Sequence, residues 1–255
     1  MRLENKNAII TGATGGIGFA TVERYLDEGA NVMMVGRNED KLAQAYADLG
    51  KPNKASFTVA ESTDEIAVRE SVQQTSNTFG SIDIVIANAG TEGVVQPLVD
   101  YSVEDFNQTL MVNITGVWLY FKYAIPFMES QGYGSIVAVA SGAGVVGFPG
   151  LCPYSASKHA VCGMVKTACL EYADKGLRFN ALAPGPIDNR MMESLGTQSQ
   201  PEDPSNFRDN VTGNIPAGRY GTNEEMANLA LFLGSDESSY CNGGVYLADG
   251  GFTAA

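Results

Sequence analysis

Nothing in this sequence is spaced to hold a metal ion. Its four cysteines, Cys152, Cys162, Cys169 and Cys241, form no CxxC pair and no ligand-like interval, and there is a single histidine, His159. Buried thiols in a reducing, cytoplasmic setting are the expectation, with no metal site. Basic residues are also scarce: 16 Lys and Arg stand against 29 Asp and Glu, a formal net charge of −13. Phosphate backbones and anionic lipid repel such a chain on average, so nucleic acid and membrane surfaces are set aside as partners. The longest apolar stretch, MVNITGVWLYFKYAIPFM, is interrupted by Asn113, Lys122 and Pro126, which makes it a poor membrane span. The opening MRLENKNAII carries Glu4 where a secretion signal needs an apolar run.

What the chain does have is alternation. Hydrophobic residues make up 44% and charged residues 18% of 255 positions, enough for a sizeable core in one large domain, 1–255. Short apolar runs occur at 7–11, 31–35, 55–59, 82–87, 134–140, 177–183 and 244–248, most of them bounded by Gly, Asp, Asn or Ser. Between them lie amphipathic segments such as ATVERYLDEG and NEDKLAQAYADLG, each ending in a glycine suited to a helix C-cap. This pattern predicts an α/β fold of the Rossmann type: a doubly wound parallel sheet of about seven strands with helices on both faces. One polar stretch, 196–214, breaks the rhythm with two prolines and few large apolar residues. It reads as a mobile lid or binding loop within a substrate-loop region of 187–215.

The first apolar run leads directly into TGATGGIG, residues 11–18, and then into a helix. Gly12 permits a tight turn, Gly16 lets backbone approach a pyrophosphate, and Gly18 allows the helix to pack closely on the strand. Thr14 and Ile17 belong to the same turn, and the helix N-terminus behind it offers unpaired N–H groups to phosphate. At the end of the second run, where a carboxylate would bind the adenosine ribose of NAD, the sequence has Gly36 followed by Arg37. A guanidinium there can clasp a 2′-phosphate, which favours NADP(H). A solvated Arg37 at a helix start is the other reading, and it leaves NAD(H) as the alternative.

Further along, PYSASKHAV (153–161) holds Tyr154 and Lys158 four residues apart, one helical turn, so that they share a face. A tyrosine with an ordinary pKa of ~10 transfers protons poorly near neutrality. A nearby ammonium would favour the phenolate and lower that value, which is the expectation for this pair. His159, next to Lys158, points about a hundred degrees away around the helix and reads as structural.

The motifs TGATGGIG, NAG (88–90), Ser141 after the fifth apolar run and YSASK (154–158) occur together in an order and spacing that resembles the short-chain dehydrogenase/reductase family. NALAPGPI (180–187) and DGG (249–251) fit the same resemblance. The resemblance implies that Tyr154 is the general acid or base and that Ser141 binds the substrate oxygen. It also implies that Lys158 holds the nicotinamide ribose and that Asn113 helps hold a water in the proton relay. Asn88, Ala89 and Gly90 would line the adenosine ribose, and Glu61 and Ser62 the adenine. Pro184 and Gly185 would turn the chain past the nicotinamide and Ile187 would offer backbone to its carboxamide. Glu61 stands where the family usually has aspartate, and Asn189 stands where it often has threonine, which puts both side-chain contacts in doubt.

Val145, Val146, Phe148, Leu151, Met191 and Met192 flank these positions and form the expected substrate pocket, unless several belong to the core or to a subunit contact. Their apolar character points to a small, hydrophobic ketone or secondary alcohol. An acyl-carrier substrate would need basic residues near the pocket mouth, whereas the turn before the fifth run reads FMESQGYGS with Glu129. The expected activity is an NADP(H)-dependent carbonyl reductase or alcohol dehydrogenase. Its alternatives are an NAD(H)-dependent secondary alcohol dehydrogenase working oxidatively and a dinucleotide-binding regulator without turnover. Family members are commonly tetramers, so a homo-oligomer is expected.

Overall fold

The computed structural model describes residues 1–254. Seven strands, β1 (Asn7–Thr11), β2 (Asn31–Gly36), β3 (Ala55–Val59), β4 (Ile84–Ala87), β5 (Gly134–Val139), β6 (Leu177–Pro184) and β7 (Val245–Ala248), form one sheet in the order β3-β2-β1-β4-β5-β6-β7. Every neighbouring pair is parallel. The central strands are largely apolar because both of their faces are covered, with Arg178 and Asn180 as the polar exceptions in β6.

Alternate residues of each strand feed two separate cores. Ile9, Met33, Val35, Val85, Ile136 and Ala138 point to one face, under α3 (Glu65–Phe79), α5 (Gly116–Gln131) and α6 (Cys152–Tyr172). Ala8, Ile10, Val32, Met34, Ile86 and Val137 point to the other, under α1 (Gly16–Asp27), α2 (Glu39–Asp48) and α9 (Asn223–Gly234). Tyr25 of α1 is fully buried there and donates to the Ala230 carbonyl of α9 at 2.8 Å.

The strand order reverses between β1 and β4, where the chain leaves β3 on one edge and returns beside β1. Loops from the two halves diverge at that point, and the crevice they leave outside the carboxyl ends of the strands is the usual ligand site of such sheets. Two further elements lie over this end. The helix α4 (Val103–Leu110) passes through a π-helical turn, Met111–Thr115, into α5.

The stretch 196–214, expected as a loop, is instead largely helical: α7 (Arg190–Ser199) and α8 (Pro204–Gly213). Each has a side-chain cap, Asn189 accepting from Met191 N at 3.0 Å and Asp203 accepting from Asn206 N at 3.2 Å. Asp203-Pro204 is a cap followed by proline at the first helical position, a start signal hidden by the polarity of the segment. No helix among the described residues is long and apolar enough to cross a membrane.

Candidate active site

Outside the carboxyl ends of β1, β2, β4, β5 and β6 lies a cavity of about 1080 Å³. At its first end β1 turns at Gly12, whose φ of 61° is left-handed. A Cβ on Gly12 would stand 2.9 Å from Asn88 Nδ2, and one on Gly18 would stand 2.2 Å from the Gly12 carbonyl. Both glycines are therefore required by the close approach of helix, turn and β4 loop. Asn88 locks that approach by donating to the Thr11 carbonyl at 3.0 Å, while Thr11 Oγ1 accepts from the N–H groups of Asn88 and Ala89 at 2.9 Å.

The N-cap of α1 is Gly15, which supplies no side-chain acceptor, and its first turn holds no acidic residue. Thr14, Gly15, Gly16 and Ile17 line the cavity there. The first-turn N–H groups and the positive end of the helix dipole are left for a ligand, and this fits the pyrophosphate of a dinucleotide. Gly18 lies behind the lining and serves the packing.

Arg37 leaves β2 with its side chain 78% exposed and Nη1 3.8 Å from Glu61 Oε2, a loose ion pair at the cavity edge. Lys41 of α2 lines the same edge, as do Asn38, Glu61 and Ser62. Asn38 is committed to capping α2, accepting from Lys41 N at 2.8 Å. Asn88, Ala89 and Gly90 line the middle, followed by Pro184, Gly185, Ile187 and Asn189. Asn189 caps α7 and also donates from Nδ2 to Asn223 Oδ1 at 3.3 Å, so its amide is engaged within the protein.

At the second end, Ser141 follows β5, and Tyr154 and Lys158 project from α6, all three lining the cavity. As the four-residue spacing requires, the two share a face: Lys158 Nζ lies 5.6 Å from the centroid of the Tyr154 ring. Lys158 is buried and donates to the Val139 carbonyl at 2.8 Å. Its ammonium is pulled down to about 8 by burial. His159 is exposed, its ring Nδ1 2.9 Å from the Ser155 carbonyl, turned away from this group.

The expectation for Tyr154 is overturned in direction. Burial pushes the phenol above its ordinary value and the charge of Glu92 adds to the rise, while the Ser141 hydroxyl pulls against them. The ammonium is beside the ring, while the phenol oxygen faces the Ser141 hydroxyl and Met191 Sδ, the latter at 3.9 Å.

Asn113 does not reach the cavity; it sits fully buried in the π-helical turn behind it. Its Nδ2 donates to the Thr91 carbonyl at 2.9 Å and to Ser157 Oγ at 3.0 Å, and its Oδ1 accepts from Thr91 N at 2.9 Å. One amide thus ties the loop after β4 to α6. Ser157 Oγ donates in turn to the Tyr154 carbonyl at 2.7 Å.

Of the six residues expected in the substrate pocket, Phe148, Leu151, Met191 and Met192 line the cavity. Val145 and Val146 do not: the turn Gly142–Gly144 carries the chain outward, leaving Val145 exposed and Val146 half-buried away from the lining. Val95, Leu195, Phe207, Val211, Phe252 and the ion pair Glu92–Arg190 also line it, and no motif marks any of them in the sequence. Phe252 stacks on Phe148 with ring centroids 5.6 Å apart. Glu92 and Arg190 are joined through two bonds of 2.9 and 3.0 Å, across a sequence separation of 98 that no local pattern reveals.

Residues 12–253 match the family model described as enoyl-(acyl carrier protein) reductase. The chain is 40% identical over 253 residues to the 3-oxoacyl-[acyl-carrier-protein] reductase of Thermotoga maritima, covering 98% of this chain and 99% of that protein. The crystal structure of levodione reductase superposes with a TM-score of 0.97 at 34% identity, covering all of both chains. A gluconate 5-dehydrogenase from Burkholderia cenocepacia, in complex with NADP and tartrate, superposes at 0.90 with 31% identity, covering 100% of this chain and 97% of that one.

Proposed function

The chain belongs to the short-chain dehydrogenase/reductase family, an oxidoreductase acting on alcohol and carbonyl groups, and on that premise we propose that it moves a hydride between NADP(H) and a small, largely apolar ketone or secondary alcohol. The observation that carries this reading is the convergence of Ser141, Tyr154 and Lys158 on one end of a cavity whose other end is the uncapped N-terminus of α1. A nicotinamide dinucleotide, when bound, supplies or accepts the hydride.

In this reading the turn 12–17 holds the pyrophosphate. Asn88, Ala89 and Gly90, with Glu61 and Ser62, line the adenosine, and Pro184, Gly185, Ile187 and Asn189 the nicotinamide. Ser141 donates to the substrate oxygen and stabilises charge developing there. Tyr154 gives its phenol proton to that oxygen in reduction and takes it back in oxidation. Lys158 binds the nicotinamide ribose, and Asn113 acts through Thr91 and Ser157 as a positioning residue. Tyr154→Phe is expected to lower kcat by about a thousandfold, within the range of general acid–base catalysis, with dinucleotide binding retained. Undiminished carbonyl reduction by that variant would remove Tyr154 from the chemistry.

The preference for NADP(H) rests on Arg37. Its guanidinium is held only by a 3.8 Å ion pair and is free to turn to a 2′-phosphate, with Lys41 on the same edge. Arg37→Ala should weaken NADPH binding at least about tenfold, ~1.4 kcal/mol, and NADH binding far less; equal losses would return the preference to NAD(H). Titration by nicotinamide fluorescence reads both.

An acyl-carrier thioester is the second reading, and the 40% likeness to the Thermotoga protein favours it. Against it stand the net charge of −13 and Glu129 at the end of α5, which takes up Lys175 from the turn before β6. A free ketone reduced faster than a ketoacyl thioester of similar size supports the small-molecule reading; the reverse supports the carrier. All four thiols are unpaired, in keeping with a reducing, cytoplasmic setting, which an unchanged thiol count after purification under reducing and non-reducing conditions would support.

A further inference from the structure

The substrate end of the cavity has an apolar surface with one charged feature set into it. Val95, Phe148, Leu151, Met191, Leu195 and Phe207 supply the apolar part; Glu92 and Arg190 supply the charges. The Glu92 side chain is only 7% exposed, whereas that of Arg190 is 71% exposed. A carboxylate so enclosed needs a partner, and Glu92 is fully served. Burial by itself would raise its pKa, yet hydrogen bonds from Arg190, its own backbone N–H and Ser194 hold it below the ordinary carboxylate range.

Arg190 is served only in part. A guanidinium has five N–H donors; two go to Glu92, and no other hydrogen bond of this side chain occurs among the described residues. The pair is not needed to fasten α7 to the loop after β4. Gln198 does that separately, accepting from Val95 N at 3.0 Å and donating to the Gly93 carbonyl at 3.3 Å. The result is a guanidinium locked in orientation, nearly neutral as a pair, with spare donors on the surface that the substrate must touch. Glu92 is near enough to Tyr154 for its charge to act on the phenol, so the pair and the proposed acid share one chamber.

We propose that Arg190, oriented by Glu92, is a specificity determinant that hydrogen-bonds a second oxygen of the substrate, so that the preferred substrates are uncharged dioxygenated compounds: diketones, hydroxyketones and diols. The proposal rests on the reading of the chain as a carbonyl/alcohol oxidoreductase. Where a bound substrate covers the free N–H groups of Arg190, a second oxygen replaces the water they lose and the analogue lacking it does not. A substrate anion gains less than it would from a lone arginine, since the Glu92 charge stands directly behind the guanidinium.

Cyclohexanone and 1,4-cyclohexanedione differ by the second oxygen alone, in rings of nearly equal size. With NADPH or NADH, whichever binds, the dione is expected to exceed the monoketone in kcat/KM by at least about tenfold after division by two for its two equivalent carbonyls. In the double variant Glu92→Gln, Arg190→Leu, which leaves no unpaired buried charge, that ratio should fall to within about threefold of unity. Circular dichroism and dinucleotide binding report whether this variant is folded; Arg190→Lys, which keeps the charge without the fork, is the second variant and should retain an intermediate preference. A wild-type ratio near one, or a preference that survives in the double variant, overturns the proposal while leaving the oxidoreductase reading intact. Dinucleotide binding without turnover of any ketone, diketone or diol overturns that reading and this proposal together.

Discussion

Lys158 is enclosed by protein, yet its ammonium meets one acceptor, the Val139 carbonyl. Such a group is held in the charged form less firmly than in water, hence its fall from 10.5 to about 8. The unfolded chain keeps the ordinary value, so between pH 8 and pH 10.5 it binds more protons than the folded one. Stability therefore rises with pH across that window as far as this residue is concerned, by roughly 3 kcal/mol in full. Lys158→Met should be relatively more stable than the wild type below pH 8 and lose this advantage by pH 10.5; urea unfolding of the dinucleotide-free proteins reads the difference. A difference that does not change with pH would mean that the Lys158 ammonium keeps its ordinary value in the folded chain. The same enclosure explains why the lowered tyrosine expected from the spacing alone is not observed. Spacing puts ring and ammonium on one face, but the burial that accompanies that face acts on both groups.

At the scale of elements, α1 depends on a contact that only glycine permits. The Gly12 carbonyl occupies the space where a Cβ on Gly18 would lie, 2.2 Å away, and backbone cannot swing aside as a side chain can. Gly18→Ala should lower stability by about 2 kcal/mol or more and the melting temperature by roughly 4 °C or more, with dinucleotide binding weakened together with it. Gly16→Ala meets only the side chain of Asn223 and should be milder. An unchanged melting temperature in Gly18→Ala would show that the helix can shift at no cost. These elements were largely legible in the sequence. Six strands begin within a residue of their apolar runs. The run expected from residue 82 starts at Ile84, since Asp83 is spent accepting from Asn7 N at 2.7 Å. The helices α7 and α8 were not legible as helices, because their apolar residues, Met191 with Leu195 and Phe207 with Val211, are few among the polar ones around them. Their caps are their clearest signal. Glu92 and Arg190 were not legible at all, for neither residue type nor spacing marks two side chains that only tertiary folding brings together.

The whole molecule presents apolar side chains that its own two cores do not use. Val103, Met111 and Trp118 are exposed on α4, the π-helical turn and α5, and Leu170, Tyr240 and Leu247 around α6 and the β7 edge. Two such faces at different sites on one chain suit two kinds of subunit contact, as in a dimer of dimers. Light scattering should report a particle of four 27.0 kDa chains; a mass equal to one chain would leave both faces without a partner. The net charge of −13 keeps such particles from associating further. The strand order has a last consequence, one of time. Because β1 pairs with β4, as Asn7 with Asp83 at a separation of 76 residues, the inner rim of the crevice does not close until more than eighty residues have been synthesised. The turn 12–17 is synthesised before then, but the Asn88 amide that locks it is not. Ser141, Tyr154 and Lys158 follow much later, and Phe252, which completes the surface opposite them, comes only after β7. During synthesis the first end of the crevice is therefore laid down long before the end on which Ser141, Tyr154 and Lys158 converge.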